Sequence, residues 1–268
     1  MRKSRCIIGT LAALFVAPFA FAAPQAKLEA GDAHTYTVHV ESSRHIDLGM
    51  GMERKEAVTF DGRFELLVRE VTEQGSRVQL IWREAKATPE GSVAGVPVDD
   101  VTLQAWTDAG ATLIDQQLEL FVLPKGRIAG IEGLSKLSPP KGSEDEFVRV
   151  FGEADMIALL QGVFTPTGAQ HAAQGLGVLG CDIDANGQKD KEGDVLTGAA
   201  TLDIPEDVRS FPGLTPGVGE AKGALTWDAQ HDRLVQRKIE ANARIYKEGP
   251  PLTANIEGKS VVVLERVK

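Results

Sequence analysis

Cysteine is almost absent from this chain. Two residues, Cys6 and Cys181, occur in 268, and no disulfide framework can be built from that number, so stability rests on packing and hydrogen bonds. Aromatic residues are few, at 6 % of the chain with three tryptophans and two tyrosines. Basic residues are outnumbered, 29 against 38 acidic, for a net charge of −9. This acidity argues against charge-driven binding to nucleic acid or to an anionic membrane surface. Beyond the first 22 residues no apolar run is long enough for a spanning helix, so no transmembrane segment is expected in the mature chain.

Missing motifs exclude further classes. The five histidines (His34, His39, His45, His171, His231) contain no His-Glu-x-x-His, and His34 and His39, an odd number apart, fall on opposite faces of a strand. There is no Gly-x-Ser-x-Gly elbow and no phosphate loop of the Walker type. Asp99-Asp100 and Glu206-Asp207 are acid pairs available for acid/base work, but they read equally as solvated turn acids. No catalytic residue is assigned.

The N-terminal stretch is present and specific. Arg2, Lys3 and Arg5 precede an apolar run from Ile7 to Phe21, and Ala20-Phe21-Ala22 places small residues where signal peptidase reads them. Residues 1–22 are expected to be a signal peptide cleaved before Ala23, leaving an exported protein, periplasmic or extracellular. Cys6 stands before the apolar run, the wrong place for a lipoprotein signal. Cys181 is then the one cysteine left, read as a small buried side chain or as a reactive thiol.

Residues 23–268 are expected to form one β-rich domain. His34 to Val40 alternates, with Tyr36, Val38 and Val40 on one face. Gly49-Met50-Gly51-Met52 is a turn or bulge, and Met50 and Met52 are candidates to line an apolar pocket or fill a core. Lys55–Phe60 and Arg63–Val71 read as strands joined by an Asp61-Gly62 hairpin, and Ser76–Ala85 follows after Glu73-Gln74-Gly75. Val98–Trp106 reads as a strand, with a helix opened by Asp99 as the alternative. Leu118–Val122 and Arg127–Ile131 are strands joined at Lys125-Gly126. A second β half runs from about 193 to 267, with strands at Val195–Ile204, Lys222–Trp227, Leu234–Tyr246 and Lys259–Val267.

Between the halves, about 34–133 and 193–267, stands one helix, 143–164. Ser143 with Glu146 has capping-box spacing, Glu144 and Asp145 suit the first turn, and Thr165-Pro166 ends it. Phe147, Phe151, Ala154, Ile157, Ala158 and Leu160 recur at helical spacing, giving a stripe that demands a flat apolar surface. The expected fold class is therefore α+β: mostly antiparallel β, a curved sheet or open half-barrel with one long central helix packed on it.

Several of these residues carry a resemblance: Gly31 with Tyr36–Val40, Leu118–Val122 with Lys125–Gly133, the helix ending Phe164-Thr165-Pro166, and Gly223-Ala224 with Trp227-Asp228. In them the chain resembles an uncharacterised family of secreted bacterial β-rich domains. The helix-over-curved-sheet plan is similar at the fold level to periplasmic lipoprotein carriers. The resemblance implies no known activity.

Asp182, Asp184, Asn186 and Asp190 are oxygen ligands at calcium-loop positions one, three, five and nine, with Gly187 at six. Position twelve, where a bidentate acid belongs, is Gly193. Calcium is therefore a weak candidate beside a plain Asp/Asn-rich turn. The role that follows is non-catalytic binding of a lipophilic or protein partner in the cell envelope. The alternatives are a secreted hydrolase with an unrecognised site and a structural module stiffened by calcium.

Overall fold

The computed structural model describes residues 26–49, 51–93, 96–165, 168–171, 180–189, 194–203, 219–228, 231, 233–247 and 254–267. Long alternating segments dominate it. Strands β1 (Ala33–Asp47), β2 (Glu53–Thr72), β3 (Gly75–Val93), β4 (Val96–Pro97), β5 (Gln117–Val122) and β6 (Ile128–Glu132) make the first half, and helix α1 (Asp100–Ala111) lies between β4 and β5. Helices α2 (Glu144–Phe151) and α3 (Glu153–Phe164) follow. The second half is β7 (Gly168–His171), β8 (Gly180–Lys189), β9 (Asp194–Asp203), β10 (Gly219–Asp228), β11 (Arg233–Lys247) and β12 (Ala254–Arg266).

All the strands join one sheet, in the order β6-β5-β3-β2-β1-β12-β11-β10-β9-β8-β7, with β4 paired to β3 off that path. Every neighbouring pair is antiparallel. The two halves meet where β1 pairs with β12, in register from Tyr36↔Arg266 to Asp47↔Asn255. The sheet is not closed: β6 and β7 are its two ends. The class is α+β, mostly antiparallel, with helices on a curved, open sheet. The second half starts at Gly168, earlier than the 193 expected, because β7 and β8 are strands.

The core lies on one face. Tyr36, Val38, Val40 and Ile46 of β1, Val58, Phe60, Phe64, Leu66 and Val68 of β2, and Val78, Leu80 and Trp82 of β3 are all buried. This is the period-two pattern of a sheet with one wet face. The scarce aromatics are concentrated there. Phe64 lies 4.9 Å from Trp82 between ring centroids, Phe60 meets Trp82 at 5.8 Å, and Phe60 meets Phe151 of α2 at 5.6 Å. Pairs of this geometry add about 0.5–1.5 kcal/mol each beyond their buried area.

Four local expectations are corrected. Asp61-Gly62 is not a hairpin but mid-strand in β2, where Gly62 pairs with Ala85. Its glycine is demanded by packing: a Cβ there would stand 2.7 Å from Cζ3 of Trp82. The true hairpin lies at Gly49–Met52, where the Met52 amide donates to the Gly49 carbonyl. Val98–Trp106 is not a strand. Asp99 caps α1 by accepting from the Thr102 amide at 2.8 Å, and the helix buries Trp106, Ala109 and Gly110.

The central helix is not continuous. Gly152, with φ −53 and ψ 145, is extended and separates α2 from α3. The break turns the buried stripe: Phe147 and Phe151 are buried as expected, but Ala154 is exposed, and Met156, Leu159, Val163 and Phe164 join Ala158 and Leu160 inside. The capping box does not form either. The Ser143 hydroxyl donates to the Pro140 carbonyl at 2.8 Å, and Glu144 accepts from the Gly142 amide.

α3 occupies the mouth of the open sheet, packing on β6, β11 and β7. It also seals the β6 edge. The Ile131 amide donates to Oε1 of Glu153 and the Ile128 amide to Oε1 of Gln161, both at 2.9 Å, and Nε2 of Gln161 donates to the Gly126 carbonyl at 2.6 Å. Open strand edges invite pairing with other chains, and here helix side chains occupy the edge amides.

Candidate functional site

β11 carries the most unusual side chain of the fold. Its buried face includes Leu234 and Ile239, and the same face carries Arg237, with none of its surface exposed. The guanidinium reaches α3 at Gly162: a Cβ added to that glycine would lie 1.2 Å from Nη1. Among the described residues, Nε, Nη1 and Nη2 all lack a hydrogen-bond partner. Burial pulls the group down to about 10 from its ordinary value of 12.5. It packs against the last turn of α3, where the helix dipole favours a cation, though only modestly beside the loss of hydration.

Beside Arg237 the interior is filled. Val163 and Phe164 pack over Tyr36, Leu66, Val68 and Val78, and the void among them holds only about 20 Å³. Burial raises the Tyr36 hydroxyl to about 12. The lead-in strand contributes through Ala26, whose amide donates to the Phe164 carbonyl at 2.8 Å. The polar part of the interior is the Arg44–Glu56 ion pair, both side chains 3 % exposed or less, which Arg54 joins through Oε1 of Glu56 at 2.9 Å.

A second space, of about 470 Å³, opens at the start of β1, where His34, His231, Arg233 and Arg266 line it. Another space, about 850 Å³, crosses β3, β2, β1, β12 and β11. Most of its lining, including Ser43, His45, Lys55, Glu90, Arg244 and Lys259, alternates with the buried set, so it is a polar groove on the sheet's outer face. Arg244 is ion-paired to Glu257, and His45 lies 3.6 Å from Glu53.

The expected site residues are not gathered. Met52 is 48 % exposed beside the β1–β2 hairpin, so it lines no apolar pocket among the described residues, and Met50 lies outside the described residues. Asp182, Asp184 and Asn186 lie along β8, whose extended backbone is paired from Gly180↔Asp203 to Lys189↔Asp194, unlike a loop wrapped round an ion. Asp190 and Gly193 lie outside the described residues, as do Glu206 and Asp207. Cys181 lies on β8 opposite Leu202. Asp99 caps a helix, and Asp100 begins it. Among the described residues no three His, Cys, Asp or Glu side chains converge on a metal position, and no helix is long and apolar enough to cross a membrane.

Arg237 escaped the sequence reading, although its signal was there. Ile239, Ala241, Ala243 and Ile245 read in sequence as one apolar series at odd positions of β11, and Arg237 continues that series. A charged residue in phase with an apolar stripe is the pattern to look for. Arg44, in phase with Tyr36, Val38 and Val40, is a second instance.

Neither a family model nor a curated protein matches the chain. Among solved structures, a structure of lipid–protein interactions in lipovitellin aligns with a TM-score of 0.45 at 12 % identity, over 89 % of this chain and 25 % of that one. The chain thus spans about a quarter of the lipovitellin chain. An outer membrane channel from Pseudomonas putida F1 aligns with a TM-score of 0.26 at 9 % identity, over 91 % of this chain and 98 % of that one. A DUF1329 family protein from Desulfovibrio piger ATCC 29098 aligns with a TM-score of 0.18 at 10 % identity, over 87 % and 84 %. At these scores neither ligand nor activity carries across to this chain.

Proposed function

We propose that the protein is an exported, non-catalytic binding protein of the cell envelope. Its ligand is lipophilic and bears an anionic head that pairs with Arg237. One observation carries this reading: a fully buried guanidinium whose three nitrogens have no partner among the described residues, inside an apolar half-barrel. Such a charge is destabilising until an anion joins it, and a planar fork of donors suits a carboxylate or phosphate. Apolar side chains around it, Leu234, Ile239 and Leu264 among them, suit the body of an amphiphile better than a free anion.

The filled interior means that α3 must yield to admit the ligand. Gly152 supports that movement, because its extended backbone already interrupts the helical hydrogen bonds between α2 and α3. In the closed form α3 occupies the ligand's space and covers Arg237. Export, with removal of residues 1–22, places this chemistry where lipophilic molecules need a shielded carrier.

Native mass spectrometry of protein purified from its own envelope tests the proposal. The expected result is a retained acidic amphiphile that is lost in Arg237→Met. Protein with no retained ligand, and no uptake of a fatty acid or an anionic phospholipid supplied in detergent, would overturn it.

A further inference from the structure

We propose that the cavity at the start of β1 is an oxyanion site, built to take a phosphate-type group. This site is separate from the interior one and stands whether or not Arg237 holds a ligand. Among the described residues, every titratable side chain lining its roughly 470 Å³ is basic: His34, His231, Arg233 and Arg266. Two carboxylates stand close by, Asp32 and Asp228, but neither lines the space. They hold the basic groups in place. Asp32 accepts from Nη2 of Arg233 at 2.7 Å, and Asp228 lies 2.8 Å from Nδ1 of His231.

Arg266 is the group with capacity to spare. Its nearest carboxylate oxygen, on Asp228, is 4.0 Å from Nη2, which is too long for a hydrogen bond. Among the described residues its guanidinium has no acceptor within that reach, and its side chain is one-quarter exposed. Two guanidiniums beside one cavity present forked donors, and a tetrahedral oxyanion supplies enough acceptor oxygens for both. The local field agrees with this. Arg233 and Arg266 both act on His34 and on Tyr36 as positive neighbours, and at His34 they oppose the contribution of Asp32. The overall acidity of the chain makes a cavity whose described titratable lining is all basic a local exception.

The same chemistry belongs to free phosphate and to a phospholipid headgroup, and the experiment separates them. Full-length protein is titrated calorimetrically with inorganic phosphate. In parallel it is sedimented with vesicles of phosphatidylglycerol in phosphatidylcholine and with vesicles of phosphatidylcholine alone. Binding of phosphate alone assigns the site to a soluble anion, and binding of the phosphatidylglycerol vesicles alone assigns it to a headgroup; either supports the site. Arg266→Gln is expected to weaken whichever binding is seen by at least tenfold. His231→Gln, in an exposed turn where folding is not at stake, is expected to weaken it less. No binding in either arm, or wild-type binding in both Arg266→Gln and His231→Gln, would overturn the proposal.

Discussion

Replacing Arg237 with methionine should make the ligand-free protein more stable. Burial lowers the guanidinium from 12.5 to about 10, with desolvation as the sole cause. At 1.36 kcal/mol per pKa unit, holding that charge inside costs about 3 kcal/mol at neutral pH. Among the described residues no hydrogen bond offsets it, since none of the three nitrogens has a partner there. Methionine is long, flexible and apolar, and it can follow the path of the arginine stem to Gly162 with little void left behind. Exchanging a buried ion for an apolar side chain of similar volume is stabilising in comparable cases. For a chain of this size, about 3 kcal/mol corresponds to a rise in Tm of about 6–12 °C. Urea denaturation followed by circular dichroism, with the midpoint compared at constant m, measures the difference. The reasoning fails if Arg237→Met is less stable than the wild type by 1 kcal/mol or more, because the guanidinium would then be paired in the native protein. The same variant should lose the retained ligand, so stability and binding are expected to move in opposite directions.

Other perturbations address the surroundings of this site. Gln161→Ala leaves the Ile128 amide and the Gly126 carbonyl without partners, and at about 1–3 kcal/mol for each buried group left unsatisfied it should lower the urea midpoint and speed hydrogen exchange at Ile128. Asp99→Ala removes the α1 cap and is expected to cost about 0.5–2 kcal/mol; an unchanged melting temperature would show that the cap is redundant. Gly110→Ala places a Cβ 2.2 Å from the Ala85 carbonyl oxygen and should reduce stability by about 1–3 kcal/mol through overpacking. His39 is held above its ordinary 6.5, first by its hydrogen bond to Asp61 and then by Glu41. A base raised on folding stabilises fully below its unfolded value and loses that contribution as pH climbs through the folded value, so Asp61→Asn should bring the His39 titration, followed by NMR, back toward 6.5, with only a small effect on stability because the ring is partly exposed.

Strand segments were legible because alternation is a direct consequence of the pleat. Tyr36, Val38 and Val40 declare their face in sequence, as do Ile239 and its neighbours, and Lys125-Gly126 marks a turn that needs left-handed backbone at both residues. The failures have physical causes. Asp61-Gly62 satisfies a hairpin pattern locally, but its glycine answers to the Trp82 ring twenty residues away. Gly152 carries no proline or turn partner to announce a helix break. Asp99 was legible as a cap, but the β-branched and apolar residues after it argued for a strand until packing against β3 decided for a helix. The site was legible only as an anomaly of phase, a charged residue where an apolar one belonged.

What unites these features is the position of α3. Its first turn and its last turn hold the β6 edge through Glu153 and Gln161, and Gly162 in that same last turn covers Arg237. Releasing the helix exposes an unpaired strand edge and the apolar surface beneath it, which is unfavourable in water, while hydration of the uncovered guanidinium offsets part of that cost. On the proposed function α3 is a lid, and it stays shut without a ligand because opening sacrifices the edge hydrogen bonds and uncovers apolar surface. It opens productively only for a molecule that supplies an anion to the guanidinium and apolar area to Leu234 and Ile239. A lipophile without the head covers the surface but leaves the charge, and a small anion does the reverse. Selectivity for an amphiphile then follows from the closed state, with α3 setting the threshold. Gln161→Ala, by weakening that threshold, should raise uptake of a fatty acid while lowering stability. Unchanged uptake in a variant with the expected loss of stability would show that α3 is a fixed wall and that ligand, if bound, enters elsewhere.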